Sequence, residues 1–144
     1  MLLKGEWFLC SDGFVRPVVR GEVLAQDGTW VAAPFLIDTA ADCTAFSANI
    51  LDVLGLPTID PSHRLGGVGG VAACVTVSTQ IRIPREADVP VVFTSRYAAF
   101  TDPGSADMSV LGRDVLDLFA VIVDRRRNIV CLMCQRHDYT VVET

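Results

Sequence analysis

With 144 residues, 51% of them hydrophobic and 20% charged, the chain suits one domain (1–144) that buries roughly 70% of its unfolded surface, which excludes a disordered polypeptide. The net charge of -5 speaks against nucleic acid as a partner, because phosphate binding needs a clustered basic face and Arg125-Arg126-Arg127 is the only basic run. No apolar stretch approaches the roughly 20 residues that span a bilayer, Lys4-Gly5-Glu6 interrupts any leader, and five cysteines in no framework spacing read as reduced thiols of a cytoplasmic protein.

Val15 to Leu24 and Thr29 to Ile37 are rich in β-branched and apolar residues and predict two strands joined by a Gln26-Asp27-Gly28 turn. The second strand runs into Phe35-Leu36-Ile37-Asp38-Thr39-Ala40-Ala41-Asp42. A carboxylate that closes an apolar strand is costly unless it is paired, hydrogen-bonded or used. A plain turn, which Asp and Thr favour, would also account for these residues. Ser47 to Gly55 predicts a short helical turn closed by Gly55 and then Pro57.

Gly66-Gly67-Val68-Gly69-Gly70 describes a hairpin tip with unusual backbone freedom, either a surface turn or a mobile flap whose amides approach a ligand. Gly67 to Ala72 also fits a dinucleotide-binding fingerprint, which needs a strand before it and a helix after it. Asp60-Pro61-Ser62-His63 reads as no strand and Cys74-Val75-Thr76-Val77 as no helix, so the fingerprint is rejected. Val75 to Ile83 alternates with Thr76, Ser78, Gln80 and Arg82, the pattern of a half-buried strand, and Val89 to Thr94 predicts another. Ser95 to Asp107, with Pro103-Gly104-Ser105, predicts a loop.

Val110-Leu111-Gly112-Arg113-Asp114 opens the best helical spacing, Arg113 to Phe119, with Val115, Leu116 and Phe119 on one face. Ala120 to Val123 and Asn128 to Met133 then predict a hairpin with the arginine run at its tip. Cys131-Leu132-Met133-Cys134 has the spacing of a zinc half-site, but its neighbours read as strand and no second half-site completes it, so no metal is expected. His63 and His137 have no triad partners and read as surface residues. The whole is an all-β architecture with one short helix near the C-terminus, and its high apolar content suggests a surface covered by another subunit.

An apolar strand ending in Asp-Thr-Ala-Ala-Asp, a glycine-rich hairpin tip and a Leu-Gly-Arg-Asp segment opening a helix follow one another in a fixed order. In this the chain resembles the retropepsin family of single-domain aspartic proteases, over about residues 16–133, with 1–13 and 135–144 as extensions. The resemblance implies an acid-protease barrel with a flap hairpin at Gly66, Gly67, Val68, Gly69 and Gly70, and no cofactor. It implies that Asp38 is the catalytic acid/base, that Thr39 bonds across a dimer, that Ala40 and Ala41 offer backbone groups to substrate, and that Asp42 pairs with Arg113. Because the chain holds a single Asp-Thr motif, the two carboxylates of such an enzyme require a homodimer, acting on a peptide or protein substrate. The family motif has Gly where this chain has Ala40. That leaves two functions open: an aspartic endopeptidase, or a catalytically silent module of the same fold for peptide binding or dimerisation. In retroviral enzymes of this kind the termini build the dimer interface.

Overall fold

The structure is a computed structural model that describes residues 1–67, 70–86 and 88–134, with only the backbone described at 60–65, 67 and 88. In chain order the elements are β1 (Leu2–Lys4), β2 (Glu6–Leu9), β3 (Val15–Leu24), β4 (Trp30–Ile37), β5 (Ala45–Phe46), α1 (Ala48–Leu54), β6 (Asp60–Gly67) and β7 (Gly70–Arg85). There follow β8 (Asp88–Phe100), β9 (Ser109–Leu111), α2 (Arg113–Leu116), β10 (Ala120–Asp124) and β11 (Ile129–Met133).

Eight strands form one sheet in the order β2-β3-β4-β9-β5-β8-β7-β6, and an additional pairing of β3 with β7 closes it into a barrel. At the closure Glu22 lies opposite Arg82 and Val23 opposite Ile81. Arg82 pairs with Glu22 and stacks its guanidinium on Trp30, 4.2 Å from the ring centroid. The alternating strands turn Val19, Val23, Phe35, Val77, Ile81 and Ile83 inward, all essentially sealed from solvent. Phe46 joins them, edge-on to Phe35 at 6.2 Å and tilted against Tyr97 at 5.5 Å.

Two strand expectations are corrected. Ser95 to Phe100 belongs to β8 and not to a loop, and it pairs with β7 from Thr79↔Ser95 to Cys74↔Phe100. Tyr97, Ala98 and Ala99 are all buried, Tyr97 and Ala99 in the main core and Ala98 against Ala45 and Cys74, while β5 pairs with the edge of β8 at Ala45↔Ala98 and Phe46↔Ala99. A strand covered on both faces shows no polar alternation, and alanine is a poor strand signal. Asp60 to His63 likewise lies in β6, with a register shift between Asp60 and His63. A strand, not a helix, follows the glycines, so the dinucleotide fingerprint still fails.

The helical turn at 47–55 is the longer helix, α1, capped by the Ser47 hydroxyl and ended by Gly55 in the left-handed region at φ 61. The predicted helix from Arg113 to Phe119 is shorter than its spacing implies. It holds as α2 for four residues, then tightens into i→i+3 turns, Leu118 N–H to Val115 O and Phe119 N–H to Leu116 O, that lead into β10.

A second sheet has the order β1-β11-β10. Here the N-terminal segment, outside the span of the resemblance, is built in: Leu2, Leu3 and Lys4 pair with Met133, Leu132 and Cys131. The arginine run forms the β10–β11 tip, where Arg125 lies over Trp7 at 5.2 Å and Arg127 bonds Asp124 at 3.0 Å. Cys131 is buried in β11 and Cys134 is exposed just beyond it. No helix is long and apolar enough to cross a membrane among the described residues.

Candidate active site

Three short strand ends meet at one mouth of the barrel. β9 runs parallel to β4, with Leu36 opposite Val110 and Ile37 opposite Leu111, and antiparallel to β5 through Ala45↔Val110. The β4–β9 pair therefore delivers Asp38 and Gly112 side by side as the chains leave the sheet. Asp38 N–H donates to Leu111 O at 3.2 Å, a last rung of the ladder.

Beyond that rung the backbone turns sharply. Ala41 N–H donates to Asp38 O at 3.2 Å, and Ala40 N–H donates to the Asp38 carboxylate at Oδ1, 3.0 Å away. The Asp38 side chain is thereby fixed by its own turn. Its Oδ2 takes no hydrogen bond from the described residues, and Asp38 is half-buried while Thr39 and Ala40 are exposed. Among the described residues Asn128 is the one non-glycine with positive φ, so the Ala40 methyl carries no left-handed strain; it only occupies space beside Asp38.

The loop is tethered to α2 in two ways. Arg113 N–H donates to Ala41 O at 2.9 Å and its guanidinium pairs with Asp42, the pairing that the family resemblance implies. That ion pair is solvent-exposed, with Asp42 84% accessible, and such pairs stabilise by about 1 kcal/mol at most. The stronger tether runs through Thr44 and Asp114, which the sequence reading did not single out. The Asp114 carboxylate accepts from Thr44 N–H at 2.9 Å, from the Thr44 hydroxyl at 2.7 Å and from Val115 N–H at 3.0 Å. The same Thr44 hydroxyl accepts from Gly112 N–H at 3.1 Å, and Thr44 is fully buried. Asp114 in the first turn of α2 was the available signal, since acidic side chains there satisfy free amides.

Gly112 is required for space. A Cβ there would sit 2.5 Å from Cys43 O and 2.8 Å from Thr44 N, both backbone atoms, although its φ of -95 suits any residue. Burial, then the charges of Asp114 and Asp42, push the Cys43 thiol up, so the cysteine nearest Asp38 in sequence stays protonated at neutral pH and is a poor nucleophile.

The glycine-rich segment forms the end of a two-stranded arm. β7 pairs with β8 only as far as Cys74↔Phe100, whereas its pairing with β6 continues through Leu65↔Ala72 and Gly66↔Val71 to Gly67↔Gly70. Gly70 has φ 117, a conformation that glycine alone adopts without strain. Val68 and Gly69, expected at the tip, lie outside the described residues, as do His137 and the side chain of His63.

Leu36 and Val110, whose side chains point away from the barrel core, line a cavity of about 490 Å³ together with Phe8, Leu9, Met108 and Arg16. A larger cavity of about 620 Å³ at Lys4, Arg20 and Pro84 lies at the β1–β7 side and shares no residue with the Asp38 loop. Among the described residues no three His, Cys, Asp or Glu side chains gather as metal ligands.

A barrel closed through β3 and β7, with a carboxylate turn at the end of a parallel strand pair beside a Gly-Arg-Asp helix start, has the architecture of a retropepsin-like fold. Two solved structures share it. The chain is similar to EIAV protease complexed with the inhibitor HBY-793, at 22% identity and a TM-score of 0.50, over 71% of this chain and 86% of that one. It is also similar to a retropepsin-like aspartic protease from Rickettsia conorii, at 15% identity and a TM-score of 0.52, over 92% of this chain and 88% of that one. At these identities the likeness is one of fold. No family model matches the chain, and no curated protein matches it by sequence.

Proposed function

We propose that the chain is an aspartic endopeptidase that works as a symmetric homodimer, with the Asp38 carboxylates of its two subunits facing each other across the two-fold axis. The observation that carries this reading is the Asp38 turn, which holds Oδ1 through the Ala40 amide and leaves Oδ2 without a hydrogen bond from the described residues. One such carboxylate cannot be acid and base at once. Two of them a few Å apart cannot both ionise cheaply, so the pair keeps one proton between them.

The chemistry follows from that shared proton. The ionised member takes a proton from a water held between the two, and the water oxygen bonds the peptide carbonyl carbon while the other member protonates the carbonyl oxygen. The protonated member then gives its proton to the amide nitrogen while the other takes one from a hydroxyl of the tetrahedral intermediate, so the C–N bond breaks to amine and carboxylic acid and the pair again holds one proton. Thr39, exposed beside Asp38, is available to bond its counterpart across the axis. Ala40 and Ala41 border the substrate, and the Asp42–Arg113 pair steadies the loop. The arm carrying Gly66, Gly67 and Gly70, with Val68 and Gly69 between them in sequence, serves as a flap that excludes water. The apolar walls at Leu36, Val110 and Met108 suit an uncharged substrate side chain.

The Ala40 methyl favours a second reading, a silent module of the same fold that binds peptides without cleaving them. One experiment separates the two. Cleavage of an unfolded protein substrate by the wild type, abolished by Asp38→Asn at unchanged circular dichroism, supports the protease, and activity surviving that change overturns it. An inert wild type that gains cleavage on Ala40→Gly supports the silent module.

A further inference from the structure

The cavity beside Leu36 and Val110 carries two charged side chains, Arg16 and Asp107, and they are held in opposite ways. Arg16 is already committed. Both terminal nitrogens of its guanidinium donate to the Asp12 carboxylate, at 2.8 and 2.7 Å, and the group lies over Phe14, 5.6 Å from the ring centroid. The Arg16 guanidinium beside Asp12 holds that carboxyl down at about 2, so the pair stays closed in acid as well as at neutral pH. A bidentate pair of this kind fixes the guanidinium and offsets its charge.

Asp107 has no such partner. It is exposed, and no hydrogen bond or ion pair joins its carboxylate to any described residue. Its place in the chain is nonetheless fixed. β9 begins just after it at Ser109, which is buried, lies opposite Phe35 of β4 and accepts from Ser47 N–H at 3.0 Å through its hydroxyl. Ala106 and Met108, on either side of Asp107, are half-buried and line the same cavity. The uncompensated charge of the cavity is therefore one carboxylate on an anchored segment, beside apolar walls at Phe8, Leu36, Met108 and Val110. The chain's net charge of -5 adds a long-range attraction for cations.

From these features we infer that Asp107 is a specificity-determining residue, which selects peptides with a lysine or arginine close to the apolar side chain seated at Leu36 and Val110. The inference rests on the peptide-cleaving reading above and deepens it by naming the substrate class. A lysine or arginine suits the site because its alkyl stem lies along an apolar wall while its charged head reaches the carboxylate. At most about 10 Å of chain separates Asp107 from Val110, so the basic residue falls within about three positions of the apolar one. A glutamate at the same place meets a like charge that nothing neutralises.

Peptides that differ only in carrying lysine, glutamine or glutamate at these positions test this. Cleavage by the wild type and binding to Asp38→Asn, read by fluorescence anisotropy, are measured on the same set. At the best position kcat/KM for the lysine peptide should exceed that for the glutamine peptide about fivefold, the upper end of what an exposed ion pair contributes. The glutamate peptide should be the poorest, and about 1 M salt should erase most of the difference. Asp107→Asn should bring the lysine-to-glutamine ratio to about one, Asp107→Glu should keep it above one, and Asp107→Lys should invert the order in favour of glutamate. Asp38-dependent cleavage without a preference for lysine, or a preference that persists in Asp107→Asn at unchanged circular dichroism, would overturn this inference alone. Lysine-selective binding that needs Asp107, in a protein whose cleavage is absent or indifferent to Asp38→Asn, would refute the catalytic reading and leave the selectivity standing. Failure to bind or cleave any of the peptides would overturn both.

Discussion

The Asp38 turn and the β6–β7 arm occupy the same molecule under opposite constraints. The turn is held from several sides: by Leu111 O below it, by Arg113 N–H at Ala41 O, and by the Thr44–Asp114–Gly112 knot behind it. The arm beyond Ala73, whose carbonyl Thr101 still bonds, is held among the described residues by the β6–β7 pairing, and it ends in glycines. A carboxylate that must meet another within hydrogen-bond reach gains from fixed geometry, whereas a cover that admits and releases a chain must move. On the proposed function the fixed turn is the floor and the arm the lid, and the contacts named for the turn are those that create its rigidity.

The floor can be broken in graded steps. Gly112→Ala should do most, because its methyl meets the Cys43 and Thr44 backbone and neither can withdraw without disturbing the loop. A loss of about 3 kcal/mol or more is expected in urea unfolding. A stability equal to wild type would show that the loop does not depend on this close approach.

Thr44→Val should come next. It removes a buried hydroxyl that both donates to Asp114 and accepts from Gly112, for a cost of about 1–3 kcal/mol. Asp42→Ala should cost less than about 1 kcal/mol, since its ion pair with Arg113 is open to solvent. The order of these two is the sharper test. If Asp42→Ala proved the more damaging, the exposed pair and not the buried knot would be the tether.

Much of the site was legible from the sequence because each motif has a local cause. Asp38 ends an apolar run, the glycines mark a hairpin tip, and Gly112 precedes a helix start. What was not legible depends on partners far apart. Thr44 and Asp114 are separated by 70 positions; an acidic residue in the first turn of α2 signals an amide to be satisfied, but not that Thr44 supplies it. Ser95 to Phe100 escaped notice because Tyr97 and Ala99 face the main core and Ala98 a second apolar cluster, which erases the alternation that betrays an exposed strand. Arg113 to Phe119 has helical spacing for its full length, yet the chain must leave α2 early to enter β10, and tertiary connection overrides local periodicity there. At Ala40 the backbone angle, which no sequence states, lies outside the positive-φ region, so the issue narrows to room beside Asp38.

The central claim is that two Asp38 carboxylates form one shared site. A crystal structure of the protein measures this directly, as the distance between Asp38 side chains of symmetry-related subunits. The account predicts carboxylate oxygens about 3 Å apart across a two-fold axis, close enough to share a proton. Asp38 side chains separated by more than one bridging water in every pair of associated subunits would contradict it.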